Sequence, residues 1–277
     1  MNAAEEKRLE KRFEEYVRKF AGKSGKLPPM LKLKLVHSRR VSKDAAGIAE
    51  DLGFSRADVR TARMLGLFHD IGRFNQFTRH KTFRDDLSFN HGHHGAEIML
   101  KCGVLKSCRP RDRRRIIIGI RHHNRARLPS GFENDVLQFI KLGRDADKLD
   151  IFHVLYDSLK KGVLHKSPDI TLRVKLDGPV NPLALEELRL KKTVSVINLK
   201  SLADFFLIQL SWVYDINFAP TFRRMISRRI IAHLAEVLPK TPEIKEQIEI
   251  AKRHMRMQLA PRKKTAQDSS LLTSRRS

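Results

Sequence analysis

The sequence LGLFHDIGRFNQF, residues 65–77, places a histidine and an aspartate side by side just after an apolar segment. This segment is predicted to be a helix that ends at about Phe68, because Gly72 follows closely and glycine commonly lies just past a helix C-terminus. Neighbouring side chains inside a helix diverge by about 100°. At a helix end, His69 and Asp70 can instead turn toward the same ion, and a carboxylate can bridge two ions.

Four other places along the chain offer side chains of the kinds that bind metals. They are His37, the cluster His91, His93 and His94, the pair His122 and His123, and the aspartates Asp145 and Asp147. Some continue the apolar face of a predicted helix: Ile116, Ile120 and His123 are spaced i, i+4, i+7. A polar group on an inward face needs a partner, because burying it alone is costly. If these side chains from all five places bound the same metal ions, each would have the partner that burial requires.

The types of ligand restrict the metal. Imidazoles and carboxylates without a thiolate suit iron, manganese, zinc or nickel. The two cysteines, Cys102 and Cys108, lie away from these positions, and with no second pair they indicate neither a disulfide framework nor a zinc knuckle. We expect one or two divalent ions as cofactors, with iron, manganese, nickel, cobalt, zinc and magnesium all left open.

Taken in order along the chain, these motifs resemble the HD superfamily of metal-dependent phosphohydrolases. The matching stretches are HSRRVSKDAAGIAEDLG at 37–53, LGLFHDIGRFNQF at 65–77, NHGHHGAEIML at 90–100, IRHHNRARLP at 120–129 and RDADKLDIFHVL at 144–155. The resemblance covers about residues 30–160, and DINFAPTFRRM at 215–225 is similar to the C-terminal part of one bacterial HD subgroup. It implies an all-α fold, an HD-domain helical bundle.

The resemblance also implies which residues bind metal and what reaction follows. The one-metal centre of the family corresponds here to His37, His69, Asp70 and Asp147. Two-metal members add histidines at the positions of His91 and His123, and Asp70 would then bridge the ions. The implied reaction is cleavage of a phosphate ester or nucleotide, such as a phosphomonoester, nucleotide or dinucleotide, by a metal-activated hydroxide.

Basic and polar side chains beside the motifs are candidates for contacting a phosphorylated substrate. We assign substrate binding to Lys148, Arg73, Arg125, Arg127, His94 and His122. Arginine suits this role because its planar guanidinium donates paired hydrogen bonds to phosphate oxygens. We assign catalysis to Asp70, Lys148 and Arg73. Asp85, in the loop before the histidine cluster, is a further candidate for the vicinity of the site.

The remaining sequence predicts a helical domain with flanking segments. We expect an N-terminal helix and linker at 1–28, an HD-type helical domain at 29–260 with its motif core at 30–160, and a basic, disordered tail at 261–277. Within the domain, 73–90 is predicted to be a loop and 165–200 a small β-hairpin or extended excursion. A long helix is predicted from about Glu133 to Lys160, and three more at about 201–215, 221–237 and 242–258.

The net charge of +25 indicates anionic partners, such as nucleotides, nucleic acid or acidic lipid. Residues 101–127 alone hold ten Lys and Arg against one acidic residue. Charge does not by itself establish nucleic-acid binding, and three Tyr and one Trp offer few platforms for stacking bases. Two alternatives to a hydrolase stay open: a nucleotide- or nucleic-acid-binding regulatory protein on the same scaffold, and a diiron oxygenase on the same fold.

The expected location is the cytoplasm. No window approaches the roughly 18–20 apolar residues of a membrane span, and the N-terminus is charged throughout, unlike a secretory signal. We therefore expect no membrane partner. The oligomeric state is left open by the sequence.

Overall fold

The fold is all-α, as the sequence predicts. The computed structural model describes residues 1–166 and 168–260, so the predicted basic tail lies outside the described residues. The helices are α1 (Ala3–Arg18), α2 (Pro29–Asp51), α3 (Arg56–Phe68), α4 (Ile71–His80), α5 (His91–Lys101), α6 (Pro110–His122), α7 (Asn134–Lys160), α8 (Pro182–Arg189), α9 (Leu202–Ser211), α10 (Ala219–Ser227), α11 (Ile230–Val237) and α12 (Pro242–Leu259). Short 3-10 turns join several of them.

The centre of the bundle is formed by α2, α3, α6 and α7. Helix α2 packs against α3 and α7, and α6 packs against α3, α5 and α7. The crossing of α2 and α3 is close because Gly66 has no side chain: a Cβ there would lie 2.8 Å from the carbonyl oxygen of Val41. This close approach brings the C-terminal end of α3, with its His-Asp pair, against the middle of α2.

The prediction that residues 73–90 form a loop is wrong for their first part, because α4 runs from Ile71 to His80. Phe74 explains the helix, since its ring is fully buried and packs against Phe13 of α1 with ring centroids 6.3 Å apart. Gly72 does not end α3 but permits a close contact with α5. A Cβ at Gly72 would lie 2.3 Å from the carbonyl oxygen of His91, so only glycine fits there.

The segment at 165–200 is partly extended, but the predicted β-hairpin does not form in its described residues. Their β-pairing is a single parallel bridge between Lys175 and Ser201. Leu172 and Arg173 have φ of 54° and 62°, in the left-handed region, so the chain does not continue as a strand there. Pro182 then begins α8, in a position where proline favours a helix start.

The predicted helix at 221–237 is two helices, α10 and α11, because the chain turns at Arg229, which has φ of 53°. The start of α10 is fixed to α7 by Asp145, whose carboxylate is fully buried. It accepts hydrogen bonds from the backbone N–H of Asn217 (3.1 Å) and Phe218 (3.1 Å) and from the hydroxyl of Thr221 (2.8 Å). Asp145 thus joins α7 to the start of α10.

Candidate metal centre

The six predicted metal ligands come together at one place in the bundle. The first half of the centre, as we define it, contains His37 of α2, His69 at the end of α3 and Asp147 of α7, and the second half contains His91 at the start of α5 and His123 just after α6. Asp70, which precedes α4, lies between the halves. The four histidines and Asp70 are buried. Their ligand atoms form overlapping groups in which all atoms lie within 4.8 Å of one another.

Asp70 faces both halves with different oxygens. Its Oδ2 lies 3.5 Å from His37 Nε2 and 3.6 Å from His69 Nε2. Its Oδ1 lies 3.3 Å from His91 Nε2 and 3.7 Å from His123 Nε2. This is the arrangement expected of a carboxylate that can bridge two ions.

Asp147 completes the first half. Its Oδ1 lies 3.1 Å from His37 Nε2 and 3.4 Å from His69 Nε2. With Asp70, this half offers two carboxylates and two imidazoles from three separate helical segments. A one-metal site therefore needs α2, α7 and the junction of α3 with α4 to pack correctly.

Each histidine is held by its other ring nitrogen, Nδ1. The partners of Nδ1 are Asp150 Oδ2 for His37 (2.6 Å), Gly66 O for His69 (2.7 Å), Asp85 Oδ2 for His91 (2.8 Å) and Ile120 O for His123 (2.8 Å). Partners of this kind fix the tautomer and the orientation of metal-binding histidines. All four Nε2 atoms consequently point into the centre.

The donor set fits metal ions. In a neutral histidine whose Nδ1–H is donated to an acceptor, Nε2 carries a lone pair and no hydrogen. His37 Nε2 and His69 Nε2 lie 3.1 Å apart, and His91 Nε2 and His123 Nε2 lie 3.0 Å apart. Lone pairs facing each other at this distance repel unless a proton or a cation lies between them, so each half is suited to hold a positive ion.

The carboxylates are kept ionised by their surroundings. Burial alone would raise the pKa of Asp70, but the Lys34 ammonium and the neighbouring His69 ring outweigh it and hold that pKa well below its ordinary value. For Asp147 burial is likewise outweighed, here by the neighbouring His69 ring and the hydrogen bond from His37, so its pKa is also well below the ordinary value. Ionised carboxylates are the form that binds metal.

The histidines of the two halves differ in their electrostatics. Burial, assisted by the positive charge of Arg73, lowers the pKa of His91 to about 3. Burial and Lys34 also act to lower the pKa of His37, but hydrogen bonds to Asp147 and Asp150 outweigh them and raise it above its ordinary value. His91 is thus neutral near pH 7, whereas His37 retains a proton more readily in the absence of metal.

Lys34 and Asp150 are site residues that the sequence analysis missed. Lys34 Nζ lies 2.7 Å from Asp70 Oδ2, and Asp150 holds His37. A sequence signal exists for both, because each lies three residues from a predicted ligand on the same helix and therefore on the same face. Asp85, which the sequence suggested near the site, does lie there, as the partner of His91.

Arg73 and Lys148, predicted for catalysis and substrate binding, lie in different surroundings. Arg73 Nε is 3.6 Å from Asp70 Oδ1, and its Nη1 donates to Asp85 Oδ1 at 2.9 Å, so it lies beside the centre. Lys148 Nζ is 2.8 Å from Asp215 Oδ2, in a partly buried ion pair shared with Arg144. Burial, with the charge of Arg144, lowers the pKa of Lys148.

The other residues suggested for substrate binding lie within four residues of His91 or His123 along the chain. They are Arg125, Arg127, His94 and His122. Both arginines are exposed, and Arg125 Nη2 lies 3.4 Å from His93 Nε2. His94 Nε2 lies 3.2 Å from the Asn75 amide nitrogen, and the His122 ring packs edge-on against a phenylalanine. The structure does not bring these side chains into the ligand cluster itself.

Residues 35–155 match the family model of the HD domain. These residues are an HD domain. The match runs from within α2 to within α7 and includes all six candidate ligands, so the geometry and the family comparison concern the same part of the chain. The chain matches no curated protein and no solved structure. Among the described residues, no helix is both long and apolar enough to cross a membrane.

Proposed function

We propose that this HD domain is a metal-dependent phosphohydrolase that cleaves a phosphate ester or nucleotide. The observation that carries the proposal is the position of Asp70, with one oxygen facing each pair of histidines. His37, His69 and Asp147 would hold one ion with Asp70. His91 and His123 would hold a second ion with the other oxygen of Asp70.

Divalent ions at such a centre activate water and neutralise charge on phosphoryl oxygens. The chain itself prepares this chemistry in two ways. Asp150 and Asp85 orient His37 and His91, so that their Nε2 atoms are presented without rearrangement. The low pKa of Asp70 keeps its carboxylate ionised and free of a competing proton.

The positive groups beside Asp70 fit an anionic substrate. Lys34 and Arg73 flank the two oxygens of Asp70, at 2.7 Å and 3.6 Å. When metal compensates the charge of Asp70, the Lys34 ammonium is available to a phosphate oxygen. Arg125 and Arg127 follow His123 closely in the sequence and are exposed, and we assign them to contacts with the rest of a phosphomonoester, nucleotide or dinucleotide.

The test combines metal analysis with turnover. The purified protein is analysed for bound metals, and phosphate release is measured from a panel of nucleotides, dinucleotides and phosphomonoesters with added Mn, Fe, Ni, Co or Mg. The double variant His69→Ala/Asp70→Ala should lose both metal and activity. His80→Ala is the matched control, because His80 is exposed at the end of α4 and should leave both unchanged.

Each outcome discriminates between functions. Metal at one to two ions per chain with activity lost in the double variant supports the hydrolase. Bound metal without phosphate release from any substrate favours an oxygenase or a binding protein on this scaffold. A protein that binds no metal contradicts the ligand assignment.

A further inference from the structure

A cavity lies between α2, α7 and α11, apart from the metal centre. Its volume is about 400 Å³, and it is lined by residues that include Arg40, Lys43, Phe152, Tyr156, His233 and Leu234. None of the six candidate metal ligands lines it. The volume is within the range of about 300–1,000 Å³ that is usual for small-molecule sites.

One side of the cavity is apolar and aromatic. Phe152 and Leu234 are almost fully buried, at 3% exposed each. The rings of Tyr156 and His233 stack with centroids 4.0 Å apart and an angle of 11° between their planes. Tyr156 and His233 are half-buried, so a flat, apolar group can contact the parts of these rings that stay accessible.

The charged side chains of the cavity leave one positive charge uncompensated. Arg40 pairs with Asp150, and Arg228 pairs with Asp44 at 2.7 Å. Lys43 also lines the cavity, is exposed, and has no ion pair among the residues described. An anionic group on a ligand would therefore be attracted to this side.

The cavity and the metal centre share one side chain, Asp150. Its Oδ2 accepts a hydrogen bond from Arg40 Nη2 at 3.0 Å and lies 2.6 Å from His37 Nδ1. Asp150 lines the cavity but is itself only 2% exposed, so its negative charge is divided between one arginine and one histidine. A change in the contacts of Arg40 must therefore alter the environment of His37.

We propose that this cavity binds a small organic anion with a flat, apolar body, and that the bound anion tightens metal binding at His37. An anion that draws Arg40 away from Asp150 leaves the carboxylate to interact with His37 alone. A stronger acceptor at Nδ1 makes Nε2 a better metal ligand. Because coupling is reciprocal, metal in turn tightens binding of the anion. The coupling rests on the proposed function of the metal centre. Binding of the anion in the cavity does not depend on that function.

The cavity site is tested with 8-anilinonaphthalene-1-sulfonate, an aromatic anion whose fluorescence rises in apolar surroundings, titrated into the full metal-free chain. Lys43→Glu should weaken its binding by at least about tenfold through charge repulsion. Leu234→Trp should abolish binding by filling the cavity. The control Lys32→Glu reverses an exposed lysine on the same helix but outside the cavity, and should bind as the wild type does.

Two results would overturn the cavity site. One is wild-type binding of the probe by Lys43→Glu. The other is an equal loss in Lys43→Glu and Lys32→Glu, which would mean that only net charge matters. Circular dichroism melting curves show whether Leu234→Trp is folded, and Lys43→Glu, at an exposed position, decides the question if it is not.

The coupling is tested by calorimetric titration of Mn²⁺ with and without saturating probe. We expect the metal affinity to rise by about fivefold, the lower end of usual coupling between sites. Unchanged or weakened metal affinity would overturn the coupling. A chain that binds no metal would contradict the proposed function, while the probe titration on the metal-free chain still decides whether the cavity is a site.

Discussion

At the scale of single residues, the second ring nitrogen of each histidine governs the centre as much as the ligand atom does. His37 and Asp150 are 113 positions apart in the sequence, yet they form the 2.6 Å contact that orients the His37 ring. His91 is held by Asp85 in the same way. The carboxylate partners add charge as well as orientation, because a negative acceptor makes the imidazole more basic.

Replacing Asp150 should therefore weaken metal binding without removing a ligand. For Asp150→Asn we expect the affinity of the first half to fall by roughly 10–100-fold, because the partner of His37 Nδ1 loses its charge. Asp85→Asn should have the same effect on the second half. Calorimetric titration with Mn²⁺ measures both.

Asp86→Asn is the matched control for Asp85→Asn, because Asp86 is the exposed neighbour and pairs with Arg84. Equal losses of affinity at both halves in either Asp150→Asn or Asp85→Asn would contradict the assignment of one carboxylate to each half.

Metal binding should also depend on pH, mainly through His37. The pKa of His37 in the folded, metal-free chain is above its ordinary value of about 6.5. Its proton therefore stabilises that state fully below about pH 6.5, and the stabilisation is lost as the pH rises through the raised pKa. Metal must displace this proton, so affinity at the first half should increase with pH over this window.

The protons released can be counted by calorimetry in two buffers with different ionisation enthalpies. His91, with a pKa of about 3, should release none near neutral pH. Proton uptake on metal binding, or an affinity that does not change with pH, would contradict this account of His37.

At the scale of helices, sequence predicts best where local signals determine the structure. Ser55 caps α3 by accepting from the Asp58 backbone N–H, and Pro110 begins α6, both residue types that favour a helix start at these positions. The loop prediction that missed α4 failed because Gly72 was interpreted as a helix end. Its actual role, contact with the backbone of α5, depends on packing that no local pattern contains.

The candidate site likewise combines residues that local motifs predict with contacts that depend on packing. The six candidate ligands are expected from the ordered motifs, and the structure brings their side chains together. The contacts of Lys148 with Asp215 and of Asp145 with the start of α10 join residues about 70 positions apart and could not be predicted from either sequence segment. Long-range partners of this kind are decided by how helices pack.

Arg115 offers a test of how α3, α6 and α7 are held together. Its side chain is 3% exposed, contacts Asp58 of α3 and Asp135 of α7, and lies over the Phe139 ring, with Cζ 4.2 Å from the centroid. We expect Arg115→Met to lower the free energy of unfolding by about 2–3 kcal/mol, less than for a fully buried pair because both aspartates are partly hydrated.

Urea unfolding followed by circular dichroism measures this loss. The neighbouring Arg114 pairs with Glu133 on the surface and is 53% exposed, so Arg114→Met should change stability by less than about 1 kcal/mol. Equal effects of the two substitutions would mean that the buried network adds nothing beyond a surface ion pair.

At the scale of the whole molecule, the metal centre is a junction of distant parts of the chain. Its ligands extend from His37 to Asp147 and lie in, or directly beside, helices that also pack against one another through buried apolar side chains. The two pairs of buried Nε2 atoms, 3.1 Å and 3.0 Å apart, are favourable only with a proton or a cation between them, and a metal ion would add contacts to several helices at once. A ligand that binds only the folded chain shifts folding toward that state.

Metal should therefore stabilise the entire fold. At free Mn²⁺ of about one hundred times its dissociation constant, the free energy of unfolding should rise by about 2.7 kcal/mol. For a chain of this size the melting temperature should then increase by about 5–10 °C. Differential scanning calorimetry with Mn²⁺, and again after addition of a chelator, measures the shift and its reversal. The His69→Ala/Asp70→Ala double variant should melt at the same temperature with and without metal, because it lacks the bridging carboxylate and one imidazole. If the wild-type melting temperature changes with neither Mn²⁺ nor chelator, the clustered side chains do not hold metal in the folded chain. An equal shift in the double variant would place the metal elsewhere.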